Sequence, residues 1–99
     1  MKDFYVYILQ CNDDSYYVGH TDDISRRINQ HSLGKESGYV STRLPIELAF
    51  LQACASRAEA IIAERKLKGW SHKKKKALIE GGFNKVQQCW KQNKNKKIN

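Results

Sequence analysis

The hydrophobic pattern of the first half of the chain is that of short strands broken by polar turns. Phe4 to Cys11 (FYVYILQC) is dense in aromatic and β-branched side chains, which suit a pleated surface. Apolar residues fall on both of its faces, which predicts a central strand. Cys11-Asn12-Asp13-Asp14-Ser15 is polar, and Tyr16 to His20 is a second, shorter β-prone run. Two such runs joined by such a turn predict a hairpin. The period then changes. Thr21, Asp22 and Asp23 offer helix caps and acidic first-turn residues, and Ile24, Ile28 and His31 recur at i, i+4 and i+7. A short helix is expected there, with Arg26 and Arg27 off the centre of its apolar stripe.

Ser32 to Arg43 (SLGKESGYVSTR) reads as a loop, broken by Gly34 and Gly38 and ended by Leu44-Pro45. A loop of that length in a compact domain is more often functional than idle. Ile46 to Ala53 reads as a third strand. Ser56-Arg57-Ala58-Glu59 is a capping box opening a helix from about Arg57 to Lys68, with Gly69 as its stop. Ala58, Ile61, Ile62, the Arg65 stem and Lys66 alternate around it. Ser71 caps a further helix to about Glu80, with Ala77, Leu78 and Ile79 inward and Gly81-Gly82 closing it. Lys91 to Asn99 has one apolar residue and is expected to be disordered. The pattern predicts one domain over residues 1–83 and a basic, flexible tail over 84–99.

A chain of 99 residues suits one domain, and at this size about 60–70% of the unfolded surface can be buried without staples. No apolar run approaches the roughly 20 residues of a membrane helix, and the N-terminus has no signal-peptide design. Cys11, Cys54 and Cys89 are odd in number and have no paired short spacing, which argues against a disulfide framework or a zinc site. Reduced thiols in the cytoplasm are the simpler account. Charge is uneven. Residues 1–50 carry five Lys/Arg against seven Asp/Glu, and residues 51–99 carry thirteen against three. A basic excess on the later elements is the footprint of a polyanion binder; a solvated basic face is the plainer alternative.

The candidate chemistry is carried by Tyr7, Tyr17, His20, Arg26-Arg27 and the acidic pair Glu59 and Glu64. Each has a plain reading beside the chemical one. Strand tyrosines mostly pack cores, a lone histidine is usually a turn residue, and Glu59 belongs to the capping box. Glu64, beside Arg65 and Lys66, reads as a surface ion-pair partner. The company shifts the balance. Gly19 between Tyr17 and His20 would let a phosphate approach the backbone. Together, tyrosine, histidine, arginine and one carboxylate are what metal-assisted hydrolysis of a phosphodiester requires. Lys73-Lys74-Lys75-Lys76, with Lys68 and Trp70 before them, form the strongest backbone-binding candidate; Trp70 also reads as a core anchor.

Tyr5-Val6-Tyr7, Tyr17-Val18-Gly19, Arg27 ten residues after Tyr17, and the helix Glu59 to Glu64 resemble the GIY-YIG nuclease signature over about residues 4–70. The chain is similar to the small stand-alone bacterial members. Through Arg26 to His31 and Thr42-Arg43-Leu44-Pro45 it is also similar to the branch that cuts branched DNA. Tyr5 stands where the first motif opens on glycine. The resemblance implies an α+β fold, a small three-stranded antiparallel sheet flanked by helices. It implies a metal-dependent endonuclease acting on DNA, with Mg²⁺ (or Mn²⁺) on Glu64. Tyr7, Tyr17, His20, Arg27 and Glu64 would be the catalytic set. Gly19, Arg26, Arg43, Lys68, Lys73, Lys74, Lys75 and Lys76 would meet nucleic acid. Tyr7 and Tyr17 compete as the base. Recognition would be shape-directed, or supplied by a protein partner. A non-cutting nucleic-acid-binding module and an adaptor for an acidic protein partner are the alternatives.

Overall fold

A computed structural model describes residues 3–34 and 38–81. The chain divides into two compact units, Met1–Gly69 and Trp70–Asn99. The first unit is built on strands β1 (Phe4–Gln10), β2 (Tyr16–Thr21) and β3 (Glu47–Cys54), with helices α1 (Ile24–Ser32), α2 (Gly38–Ser41) and α3 (Arg57–Lys68). The strands form one antiparallel sheet in the order β2-β1-β3. The doubly apolar β1 is the central strand, and Val6, Tyr7, Ile8 and Leu9 are all buried. The fold is the α+β arrangement expected.

The hairpin closes through Asp14, whose φ of 65° lies in the left-handed region that aspartate tolerates better than most side chains. Asp14 N–H donates to Cys11 O, and Cys11 N–H donates to Ser15 O. The register sets Tyr7 opposite Gly19, Val6 opposite His20 and Leu9 opposite Tyr17. Cross-strand partners share a face, so Tyr7 and Tyr17 project from one face and His20 from the other. On the far side of β1, Leu9 pairs with Leu48 and Ile8 with Phe50, which leaves Ala49 as an extra residue in β3.

Helix α1 starts where Asp23 accepts a hydrogen bond from Arg26 N–H. Its first turn has no acidic residue, because Asp22 and Asp23 precede it. His31 ends the apolar stripe and is buried. The segment expected as a featureless loop contains the short helix α2. Arg43 ties this segment to the hairpin turn: its Nε donates to Asp13 Oδ2 at 2.9 Å, and its carbonyl accepts from Asn12 N–H.

Helix α3 has the expected bounds and capping box, with Ser56 Oγ accepting from Glu59 N–H and Glu59 Oε2 from Ala55 N–H. Its packed stripe differs from the expectation. Ala60 and Leu67 are buried and Ala63 and Glu64 half-buried, while Ala58, Ile62, Arg65 and Lys66 face outward. Small Ala60 and Ala63 allow close approach to the sheet, and the i, i+3, i+4, i+7 row carries Glu64 with it.

In the second unit a helix covers 72–81, capped by Ser71 Oγ accepting from Lys74 N–H. Ala77 and Leu78 are buried, as expected. The Lys74 ammonium stands 4.3 Å from the centre of the Trp70 ring. Gly82, Cys89 and the Lys91–Asn99 segment lie outside the described residues, as does the whole of the 84–99 tail. No helix among the described residues is long and apolar enough to cross a membrane.

Candidate active site

Tyr7 is 1% exposed and faces Gly19. A Cβ on Gly19 would stand 2.5 Å from the Tyr7 hydroxyl oxygen and 2.7 Å from its Cζ. The phenol therefore fills the space that a side chain at position 19 would take. The sequence reading assigned that space to a phosphate; the structure gives it to Tyr7. Gly19→Ala must push the phenol aside, and overpacking of this kind costs about 1–3 kcal/mol. Urea melts should show that loss.

The Tyr7 hydroxyl lies 2.9 Å from His31 Nε2, a buried contact between residues 24 positions apart. Burial raises the Tyr7 pKa far above its ordinary value of 10.0, and the nearby Tyr17 and Glu64 push the same way. The charge of Arg27 and a hydrogen bond from it pull in the opposite direction. A guanidinium only donates, so the Tyr7 oxygen accepts from Arg27. With the His31 ring protonated on Nδ1, the hydroxyl gives its own proton to Nε2. One hydroxyl thus has His31 and Arg27 as partners, both from α1, and feels the charges of Tyr17 and Glu64.

Tyr17 packs edge-on to His31, with ring centres 5.2 Å apart, and meets Tyr39 at 6.3 Å. The Arg43 guanidinium lies 3.8 Å over the Tyr39 ring, and its Nη1 donates to the Tyr39 and Thr42 oxygens. Arg43 therefore has a structural role at this place, holding Tyr39 against Tyr17. Arg26 is exposed on α1.

Glu64 approaches His20 from α3. The Nδ1 of His20 is 2.8 Å from Oε1, and Lys68 Nζ is 3.1 Å from Oε2. Burial alone would raise the Glu64 pKa. The hydrogen bonds and charges of His20 and Lys68 outweigh it and hold the carboxyl below its usual range. An ionised carboxylate only accepts, so His20 carries a proton on Nδ1. β2, which carries Tyr17, Gly19 and His20, is an outer strand of the sheet.

The structure thus groups Tyr7, Tyr17 and Arg27 with His31, and pairs His20 with Glu64, whose charge acts on Tyr7. Lys73 to Lys76 lie in the second unit. His31 is the residue that sequence reasoning missed as a functional group. It had a signal: it falls four residues after Arg27, on the same helix face, and it is a histidine on an apolar stripe.

A hairpin carrying two tyrosines, an arginine helix and a glutamate helix define a GIY-YIG catalytic domain, whose family description matches residues 3–77. The chain belongs to that family. It is similar to the UPF0213 protein of Haloquadratum walsbyi, 36% identical over 83 residues, which are 83% of this chain and 93% of the relative. It is also similar to the UPF0213 protein of Bacillus halodurans, known from a solution NMR structure, at 39% identity and a TM-score of 0.52, over 86% of this chain and 93% of that one. A solution NMR structure of an E. faecalis protein matches at 34% identity and a TM-score of 0.54, over 76% of this chain and 80% of that one.

Proposed function

We propose that this chain is a divalent-metal-dependent DNA endonuclease. The observation that carries the reading is the Tyr7 hydroxyl, which has a charged donor in Arg27, a proton acceptor in His31 and the Glu64 carboxylate close enough to act on it. A core tyrosine needs one partner for its buried hydroxyl; a guanidinium and a carboxylate charge beside it go beyond that.

Glu64 fits a metal ligand. It is a hard carboxylate held ionised, and a cation, the Lys68 ammonium, already lies against its Oε2. Mg²⁺ often takes only one or two protein carboxylates and completes its shell with water and phosphate. When bound there, Mg²⁺ (or Mn²⁺) would neutralise charge on the phosphoryl oxygens and assist the leaving oxygen. Arg27 adds a planar donor suited to a phosphate fork. Tyr7 takes the proton of the attacking water as its own passes to His31 Nε2, so no free phenolate is needed at neutral pH. His20 orients Glu64 through Nδ1 and offers Nε2 to a water.

The duplex backbone would be held by Lys73 to Lys76. Contacts to phosphates position DNA and carry no base identity. Recognition would therefore rest on shape, or on a protein partner. Changing Lys73–Lys76 to alanine should weaken binding about equally for unrelated sequences and reduce the salt slope by up to about four. Affinities measured across a salt series check this, and a sequence-selective loss would make these lysines base readers.

The test of the reading is cleavage of labelled branched, duplex and single-stranded DNA with Mg²⁺ and with a chelator. Cutting should require the metal. One observation favours the non-cutting binding module: both Glu64 oxygens already have protein partners. If wild type cuts no more than a Glu64→Gln preparation made the same way, the binding module replaces the enzyme.

A further inference from the structure

The two oxygens of Glu64 are held very differently. Oε1 receives the His20 Nδ1–H at 2.8 Å, and His20 sits on a sheet strand with its side chain 28% exposed. Oε2 is held by Lys68 Nζ at 3.1 Å, one helical turn along α3, and that side chain is 54% exposed. A histidine anchored on a strand fixes the carboxylate's orientation. A lysine on a flexible four-carbon stem holds its oxygen with a strongly hydrated point charge that leaves easily. A pair at i, i+4 on a helix surface contributes little to stability, so breaking it costs little. Two cations on one oxygen repel each other even in water. The carboxylate therefore has one permanent partner and one exchangeable one.

We propose that Lys68 is a placeholder for the divalent cation on Glu64: its ammonium occupies Oε2 until a metal ion takes that oxygen. The released ammonium is then free beside the site and able to meet a phosphate. Metal and DNA would each ease the binding of the other, since each gains from Lys68 leaving Glu64. Without metal, the same contact keeps a half-buried carboxylate from standing as an uncompensated charge. This inference rests on the assignment of Glu64 as the metal ligand.

The test is Mn²⁺ binding to the whole protein, followed by the loss of the free-ion electron paramagnetic resonance signal at constant ionic strength. Wild type, Lys68→Met and Glu64→Gln are compared, with thermal melts showing that each is folded. Lys68→Met keeps the stem and removes the competing charge, so it should bind Mn²⁺ roughly threefold to tenfold more tightly. Glu64→Gln should lose the site. If Glu64→Gln binds like wild type, the metal assignment itself fails and takes this inference with it. If Glu64→Gln loses binding but Lys68→Met is no tighter than wild type, the metal site stands and the placeholder is wrong. A second readout needs no substitution. Trace acetylation, resolved by mass spectrometry, should label Lys68 at least about twofold faster in saturating Mn²⁺, because the amine is no longer held in its ion pair with Oε2. Lys66, exposed on the same helix, should be unaffected. An unchanged Lys68 rate would overturn the proposal.

Discussion

Glu64→Gln is expected to remove nearly all DNA cleavage and to leave DNA binding close to wild type. Glutamine keeps the length and the planar end of the side chain, and its oxygen still accepts from His20 Nδ1. What it loses is the charge that would hold a divalent cation. Metal stabilisation of a phosphoryl transition state is worth several kcal/mol, which corresponds to about 10²–10⁴ in rate. The fold should survive. At Oε2 the substitution breaks only the ion pair with Lys68, whose side chain is 54% exposed, and pairs of that kind contribute about 0.3–0.5 kcal/mol. Single-turnover cleavage, a binding titration and a thermal melt on one preparation separate these effects. A variant that still cuts at more than about a tenth of the wild-type rate would take the metal away from Glu64.

Tyr7→Phe should cut the rate by about 10²–10⁴, the range for loss of a positioned proton acceptor, and more than Tyr17→Phe does. The ring stays, so it still fills the space over Gly19, and only the hydroxyl is removed. His31 Nε2 is then without its 2.9 Å partner inside the protein. Leaving a buried acceptor short of its donor costs about 1–3 kcal/mol, so the variant should also melt earlier. Tyr17→Phe keeps the edge contact with His31 and the contact with Tyr39, both of which are made by the ring. Raising the pH should not rescue Tyr7→Phe, because the missing group is the acceptor itself. A deeper deficit in Tyr17→Phe would move the base to that residue.

Much of this arrangement was legible along the chain because it depends on local rules. The β-prone runs around Asp13-Asp14 specify a hairpin, and the doubly apolar Phe4–Cys11 run specifies a central strand. Asp23 and Ser56 specify where α1 and α3 begin, because their side chains satisfy backbone N–H groups that the first helical turn leaves unpaired. The tyrosines, Arg27 and Glu64 were legible as a set because their spacing resembles a family signature.

Contacts between distant residues were not legible. Periodicity spread the residues of α3 around the helix, and only packing against the sheet selected Ala60, Ala63, Glu64 and Leu67 as the inward row. Gly19 was read as room for a phosphate, whereas the room is taken by a phenol twelve positions earlier. His31 looked like one more stripe residue until the fold set it against Tyr7. Sequence alone determined the strands and the longer helices, their order and the chemical types available, but not the four-residue α2. Tertiary structure decided the partners, because hydrogen bonds and charge effects act over a few ångströms of space, whatever the separation along the chain.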